Sequence, residues 1–212
     1  LFELMRRFNQ QASLTSALGL RDAMRVHFLD SLSLIPYVLS KQLQMSKAID
    51  IGTGGGFPGI PLKIGLPDLS IYLVEPKKKK AEYLKVALEA LSIEGFIFPV
   101  RAEEAAHDLQ FREKFDLVTA RALGSWPTVL ELCLPFCRIG GYFFAQRGSN
   151  AEIESEKYSA ITASLGAIVE DVIRVGAEVG LDSRNILVLR KVNSVPDRFP
   201  RKAGIPAKRP LG

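Results

Sequence analysis

Residues 48–59 have the sequence AIDIGTGGGFPG, and this stretch decides the fold of the 212-residue chain. Its first four residues are apolar or acidic and predict a short buried strand, and a glycine-rich turn follows at once. The segment after the turn can enter a helix. A strand, a glycine-rich turn and a helix in this order are typical of an open α/β sheet that binds a nucleotide-like cofactor. Because glycine has no Cβ, the backbone of the turn can approach such a ligand closely.

The spacing of the glycines distinguishes between two kinds of cofactor. A dinucleotide fingerprint has the pattern G-x-G-x-x-G/A, but Phe57 occupies the third small position counted from Gly52. S-adenosylmethionine (SAM) has no pyrophosphate and needs room for its methionine part and a carboxylate for its ribose hydroxyls. Glu75 ends the next predicted strand, about 20 residues after the glycines, and supplies that carboxylate. The pattern therefore favours SAM over a nicotinamide, with a purely structural turn as the alternative.

Predicted strands and helices alternate along most of the chain, which predicts the α/β class with a mainly parallel seven-stranded sheet covered by helices on both faces. A short connection around residues 176–183 joins the last two strands and favours an antiparallel hairpin. This is the architecture of class I SAM-dependent methyltransferases, with a Rossmann-like fold. The predicted strands are 48–51, 71–75, 96–100, 115–120, 141–146, 167–175 and 185–191, and the predicted helices between them are 57–64, 77–91, 126–137 and 150–165.

The organisation along the chain predicts a single methyltransferase domain in three segments. Helical spacing of apolar residues predicts an N-terminal helical extension over residues 1–46, and the SAM-binding core follows over residues 47–195. Residues 196–212 form a tail with five basic residues and one acidic residue, so it carries +4 of the formal net charge of +5. A basic tail favours a polyanionic partner, and a solvated terminus is the alternative. Because the chain begins with Leu1, we expect the native start to be missing.

Composition limits the other possibilities. No stretch of about 20 residues is apolar and free of charge, so we expect no membrane span and a cytoplasmic protein. Cys133 and Cys137 lie on a predicted helix, and only His27 and His107, distant in sequence, could complete a metal site with them. We therefore expect no metal and interpret the cysteines as buried apolar residues in a reducing compartment. No exposed hydrophobic seam is evident, so we expect a monomer without an obligate protein partner.

Several blocks of the sequence, in order over nearly the whole chain, resemble the RsmG (GidB) family of bacterial 16S rRNA guanine-N7 methyltransferases. The most specific are GFPGIP at 56–61 and PRKAG at 200–204. Glu75-Pro76 departs mildly from the family, which often has an aspartate and a small residue there. The other blocks are HFLDSL at 27–32, DIGTGGGFPGIPL at 50–62, KK at 79–80 with YL at 83–84, RAE at 101–103, FD at 115–116, TARA at 119–122 and the tail at 199–211.

The resemblance implies methyl transfer from SAM to N7 of a specific guanine in small-subunit rRNA, presented as RNA or within a partly assembled 30S subunit. It also implies that Gly52 and Phe57 line the methionine and ribose side of SAM, and that Ala102 and Glu103 lie beside the adenine. Arg121 would face the amino-acid end of SAM or the guanine. Together, the glycine pattern and the resemblance predict cofactor contacts by Gly52, Gly54, Phe57, Glu75, Ala102, Glu103 and Arg121.

The chemistry of this reaction needs few catalytic groups. Guanine N7 carries a free lone pair, so no general base is required, and we expect catalysis by alignment of N7, the methyl carbon and sulfur. Arg121 is the single candidate for a catalytic contact, with a structural salt bridge, for instance to Asp116, as the alternative. His27 and Asp30 could form a lid or tie the N-terminal helices together. The candidates for RNA contact are His27, Arg147, Arg201 and Lys202.

Two further features and two further functions remain open from the sequence. Lys77–Lys80 begin a predicted helix, where cations oppose the helix dipole, and they form either a solvated face or an RNA-facing surface. Trp126 could stack on a base or pack in the core. A methyltransferase acting on a small molecule would not need the basic tail. A ribosome-assembly factor without enzymatic activity could keep SAM as a structural ligand.

Overall fold

The computed structural model describes residues 1–17, 19–41, 47–177, 180–181 and 183–212. Within these residues, seven strands form one sheet in the order β3-β2-β1-β4-β5-β7-β6. The strands from β3 to β5 are parallel, and β7 is antiparallel to both β5 and β6. The predicted class I methyltransferase architecture is therefore confirmed. The strands are β1 (Lys47–Ile51), β2 (Ser70–Val74), β3 (Phe96–Phe98), β4 (Phe115–Arg121), β5 (Cys137–Arg147), β6 (Ala167–Val175) and β7 (Arg184–Lys191).

Helices cover both faces of the sheet. Parts of the predictions fall on residues 18 and 42–46 of the extension and on residues 178–179 and 182 of the hairpin connection, which lie outside the described residues. The helices are α1 (Phe2–Ala12), α2 (Leu20–Ala23), a π-helical turn (Met24–Leu29), α3 (Asp30–Leu32), α4 (Ile35–Ser40), α5 (Gly59–Gly65), α6 (Lys78–Ala90), α7 (Ala102–Ala105), α8 (Trp126–Cys133), a 3₁₀ turn (Leu134–Phe136), α9 (Ala151–Lys157), α10 (Ser159–Ser164) and α11 (Ile205–Lys208).

The core forms two layers, one on each face of the sheet, because successive side chains of a strand point to opposite faces. In β5, Phe143 packs into the layer under α8, and its neighbour Phe144 packs into the layer under α6. The N-terminal helices lie on the α6 side, where Met5 is buried. Trp126 is buried in the α8 layer and stacks on Phe143. The core-packing interpretation of Trp126 is thus confirmed.

Prolines explain two differences from the predicted elements. The helix predicted over 126–137 ends at Cys133, because Pro135 cannot donate the next helical hydrogen bond. Cys137 therefore opens β5, and the placement of both cysteines on one helix was wrong, although both are buried. The third strand stops at Phe98 because Pro99 has no N–H for the sheet. The helix predicted over 150–165 is broken at Tyr158.

The C-terminal tail is packed against the α8 side of the domain rather than solvated along its length. The Arg112 guanidinium donates hydrogen bonds of 2.9 Å to the carbonyls of Val195 and Phe199. The carbonyl of Pro206 accepts a 2.9 Å hydrogen bond from the hydroxyl of Thr128, at the start of α8. The solvated-terminus alternative is therefore wrong for the part of the tail that these contacts hold.

Candidate active site

A buried carboxylate fixes the glycine turn after β1. Asp50 has no exposed surface, and it accepts hydrogen bonds from the hydroxyls of Thr53 (2.6 Å) and Thr119 (3.0 Å) and from the amide of Gly59 (2.9 Å). Burial raises the pKa of Asp50 above its ordinary value, although these hydrogen bonds oppose the change. Because one side chain binds both ends of the turn and the neighbouring strand β4, the turn is held in a defined shape.

The glycines of the turn are required by backbone conformation and by space. Gly52, Gly54 and Gly56 have φ values of +68°, +58° and +88°, a region that other residues rarely adopt. A Cβ at Gly52 would lie 2.5 Å from a methyl carbon of Leu123. A Cβ at Gly54 would meet ordinary contacts only, so the requirement for glycine there comes from its φ, and Gly54 also lines the cavity.

Glu75 lies directly after β2 and presents a carboxylate beside the turn. One carboxylate oxygen accepts a 3.0 Å hydrogen bond from the amide of Gly54, and the other accepts a 2.9 Å bond from the amide of Lys77. A carboxylate has about four acceptor sites, so each oxygen keeps capacity for a further donor. Glu75 is buried and is not among the residues that line the cavity described below, so its contact with the ribose hydroxyls of SAM stays a prediction.

Arg121, the last residue of β4, joins the core to the N-terminal extension. Its guanidinium donates 2.9 Å hydrogen bonds to the buried carboxylate of Asp30 and to the carbonyl of Val26. Asp116, at the opposite end of β4, instead pairs with Arg138 at 2.6 Å. Arg121 thus forms a salt bridge, as the alternative predicted, but its partner is Asp30 and not Asp116. Asp30 therefore ties the extension to the sheet, whereas the tie considered from the sequence joined the N-terminal helices to each other.

His27 is held as a neutral imidazole between the extension and the turn. Burial, together with the nearby charges of Arg121 and Arg184, lowers the pKa of His27 to about 4. Its Nδ1 lies 3.2 Å from the Arg121 guanidinium, and its Nε2 lies 2.5 Å from the hydroxyl of Thr15. The ring also stacks on Phe57. A neutral ring in these contacts accepts at Nδ1 and donates at Nε2.

A cavity of about 890 Å³ lies beside these residues, at the carboxyl ends of β1, β4 and β5. Its volume falls in the range of small-molecule sites, roughly 300–1,000 Å³. The N-terminal extension forms one wall, through the loop Ser13–Ser16 and His27. Six of the predicted residues line the cavity: Gly52, Gly54, Phe57, Arg121, His27 and Arg147.

Two predicted adenine contacts lie on α7, outside that lining. The Glu103 carboxylate accepts a 2.8 Å hydrogen bond from the amide of Gly204 in the tail. Ala102 is the first residue of the same short helix and is buried. The roles of Ala102 and Glu103 beside the adenine stay predictions, and the tail supports the helix that carries them.

The predicted RNA contacts differ in how available their charges are. Arg147 forms a bidentate pair with Glu154, with its Nε 3.0 Å from Oε2 and an Nη 2.9 Å from Oε1. Arg201 pairs with the fully buried Glu131 at 2.8 and 2.6 Å, so its charge serves the packing of the tail. Lys202 is exposed. The ion pair of Arg201 argues against its assignment as a phosphate contact, because its guanidinium already neutralises a buried carboxylate.

The cavity also contains residues that were not among the predicted cofactor or RNA contacts. Lys80, the fourth lysine of its run, lines the cavity, whereas Lys78 is exposed. In the helix that follows Glu75, residues two positions apart point to nearly opposite sides. This spacing is the sequence signal that distinguishes Lys80 from Lys78. Gln146 and Arg184 line the cavity at the ends of β5 and β7 that face it. Their roles depend on the strand order, which places β7 next to β5 and is not evident from spacing along the chain.

A seven-stranded sheet of this order, with its cavity, glycine turn and ribose-type carboxylate at the ends of the parallel strands, defines a class I SAM-dependent methyltransferase. Solved structures agree with this fold. A SAM-dependent methyltransferase from Clostridium acetobutylicum superposes with a TM-score of 0.59 at 10% identity, covering 79% of this chain and 93% of that one.

The particular family follows from the sequence comparisons. Residues 1–187 match the model of GidB, the rRNA small subunit methyltransferase G family. The chain is similar to ribosomal RNA small subunit methyltransferase G of Acetivibrio thermocellus (37% identical, over 99% of this chain and 85% of that protein) and of Roseiflexus castenholzii (41% identical, 98% and 87%). The chain therefore belongs to this family, and its enzyme class and its cofactor, SAM, are as predicted. No helix of the described residues is long and apolar enough to cross a membrane.

Proposed function

We propose that this protein transfers the methyl group of SAM to N7 of a specific guanine in small-subunit (16S) rRNA. The observation that carries the proposal is the cavity, which joins a SAM-type glycine turn to a second, polar half bounded by β5 and β7 in a chain of this family. When bound, SAM supplies an electrophilic methyl group on a positively charged sulfur. The residues of this chain then bind and orient SAM and the target base, and they exclude water from the site.

The residues of the turn suit the binding of SAM. Glu75 accepts hydrogen bonds from the ribose, and Gly54 leaves the methionine part free of a side chain. Phe57 is 4% exposed and covers the base of the cavity under His27. Lys80 and Arg121 supply positive charge for a carboxylate. Because Arg121 is already paired with Asp30, its net field at the site is weakened, which suits a reaction whose product base is positively charged.

None of the described residues that line the cavity is poised as a general base, which agrees with attack by a free lone pair. His27 has both ring nitrogens engaged and a lowered pKa. Asp50 is fully buried beneath the turn. Catalysis therefore consists of holding guanine N7, the methyl carbon and sulfur in line, which contributes through proximity and orientation.

The RNA would reach the cavity in single-stranded form. N7 of a base in A-form RNA lies in a deep groove that protein side chains do not read, whereas loops expose it. Two groups of exposed cations are suited to phosphate contact. One precedes Lys80 at the start of α6 and the other lies in the tail: Lys77, Lys78 and Lys79, and Lys202, Lys208 and Arg209. We further propose that the substrate is the naked rRNA or a partly assembled 30S subunit and that the enzyme acts as a monomer in the cytoplasm, where subunits are assembled.

Methyl transfer from labelled SAM tests the proposal. Small-subunit RNA from a strain lacking the gene is offered as naked RNA and as intact subunits, and the modified base is identified by mass. We expect label in N7-methylguanosine, and much less label in subunits from a strain that retains the gene, because their site is already filled. Label in another base, or none in either RNA form despite measured SAM binding, would refute the proposal and favour a small-molecule substrate.

A further inference from the structure

The cavity extends beyond the half that fits SAM. The glycine turn and Glu75 follow β1 and β2, whereas Gln146 and Arg184 line the cavity on β5 and β7. In the sheet these two groups lie on opposite sides of β4. If SAM occupies the β1 side, as the proposed function requires, the β5 side remains for the target base.

One end of the Gln146 side-chain amide makes a hydrogen bond, and the described residues supply no partner for the other end. The side chain is 4% exposed, and its amide nitrogen donates a 2.5 Å hydrogen bond to the backbone carbonyl of Asp30. A carbonyl oxygen can only accept, so the nitrogen of the amide is assigned to that contact and Oε1 is the opposite end. Oε1 is buried and has no hydrogen-bond partner among the residues that the structure describes. A buried acceptor left without a donor is costly.

Guanine carries a donor in the place where this acceptor needs one. Its N7 lies on one edge of the ring system, and its exocyclic N2 amino group lies on the far side. A guanine with N7 directed towards β1 therefore directs N2 towards β5. The amino group projects beyond the ring, and Gln146 lines the cavity on the side where this group would lie. Adenine has only a C–H at the corresponding position.

We propose that Gln146 Oε1 accepts a hydrogen bond from the N2 amino group of the target guanine and thereby selects this base. The backbone carbonyl of Asp30 positions the amide, so the N-terminal extension contributes to base selection indirectly. The proposal rests on the proposed function, since it assigns the second half of the same cavity to the base.

Replacement of the target guanosine by inosine tests the contact, because inosine keeps N7 and N1–H and lacks only the amino group. Two synthetic RNAs are compared, with guanosine or inosine at the site found by methyl transfer, and kcat/KM is measured for each. We expect wild type to prefer guanosine by roughly 10- to 100-fold, as for a buried hydrogen bond. We expect Gln146→Met to reduce the preference to about 3-fold or less, with unchanged affinity for SAM by equilibrium titration.

Asn185→Ala is the matched control. Asn185 lies on β7 beside Arg147, and its amide donates to the carbonyl of Gly148, so the variant removes an amide from the same edge of the sheet. We expect this variant to keep the wild-type preference for guanosine. Each ratio comes from two substrates on one protein, so a partial loss of folded enzyme cancels.

Two results would overturn the inference while leaving the proposed function in place. One is a guanosine preference that is the same in wild type and in Gln146→Met. The other is a Gln146→Met variant that binds SAM more weakly in proportion to its loss of activity, which would assign Oε1 to the SAM ammonium group. A wild-type enzyme that methylates neither RNA would overturn the proposed function and this inference with it.

Discussion

Replacement of Asp50 tests whether one buried carboxylate holds the cofactor turn together. Asp50→Ala leaves three buried donors without their acceptor, the Gly59 amide and the hydroxyls of Thr53 and Thr119. An unsatisfied buried donor costs about 1–3 kcal/mol. The amide cannot rotate and bears this cost in full, whereas the two hydroxyls can turn towards other acceptors. We expect a loss of about 4 kcal/mol in the free energy of unfolding, a large part of the 5–15 kcal/mol of a typical domain.

Asp50→Asn is the matched variant. Its oxygen can still accept from Gly59 and Thr53, its nitrogen can donate to the Thr119 hydroxyl, and the cost of burying a charge disappears. We expect a loss of about 1 kcal/mol. At a typical urea slope of 2–3 kcal/mol/M, the two unfolding midpoints would differ by about 1 M. Asp50→Ala should also bind SAM more weakly than Asp50→Asn. Free energies of unfolding within about 0.5 kcal/mol of each other would refute this account of the turn.

Three more predictions concern the charges around the site. The folded state lowers the pKa of His27 from 6.5 to about 4, so wild type loses stability as the pH falls through this range. In His27→Gln, the free energy of unfolding measured with urea should differ less between pH 7 and pH 5 than in wild type. An equal difference in the two proteins would contradict the assigned pKa. Arg201→Ala leaves the carboxylate of Glu131 buried and unpaired, and we expect it to lower the unfolding free energy by about 3 kcal/mol. Adding Glu131→Gln should recover part of that loss, and a double variant no more stable than Arg201→Ala would exclude this cause. Lys80→Ala should lower methyl transfer about 10-fold, whereas Lys85→Ala, an exposed lysine of the same helix outside the cavity lining, should stay within about 2-fold; equal effects would remove Lys80 from the site.

Local signals were sufficient for the architecture and for the cofactor turn. The glycine spacing and Glu75 lie within one β-α-β unit, so the sequence itself shows their proximity. The short connection after β6 likewise indicated the antiparallel pair. The three positive φ values in the turn explain why glycine occurs there.

Contacts distant in sequence could not be predicted in the same way. Arg121 and Asp30 are 91 residues apart, and Arg201 and Glu131 are 70 apart, so only the folded chain identifies the partners. Net charge made the tail look like a free cationic segment, because composition does not show that Glu131 and Glu103 are buried against it. Gln146 carried no signal at all, since an amide becomes informative only when one of its ends lacks a partner.

The wall formed by the loop Ser13–Ser16 has a consequence for inhibitor design. Asn9 accepts from the amides of Leu14 and Thr15 at 2.8 Å, so the shape of this wall is set within the extension and not by the α/β sheet. An inhibitor that only imitates SAM contacts the part of the cavity that follows from the shared fold. A compound that also reaches Thr15 and His27 contacts a surface built outside that fold, and this is where selectivity against other SAM-dependent enzymes can be obtained.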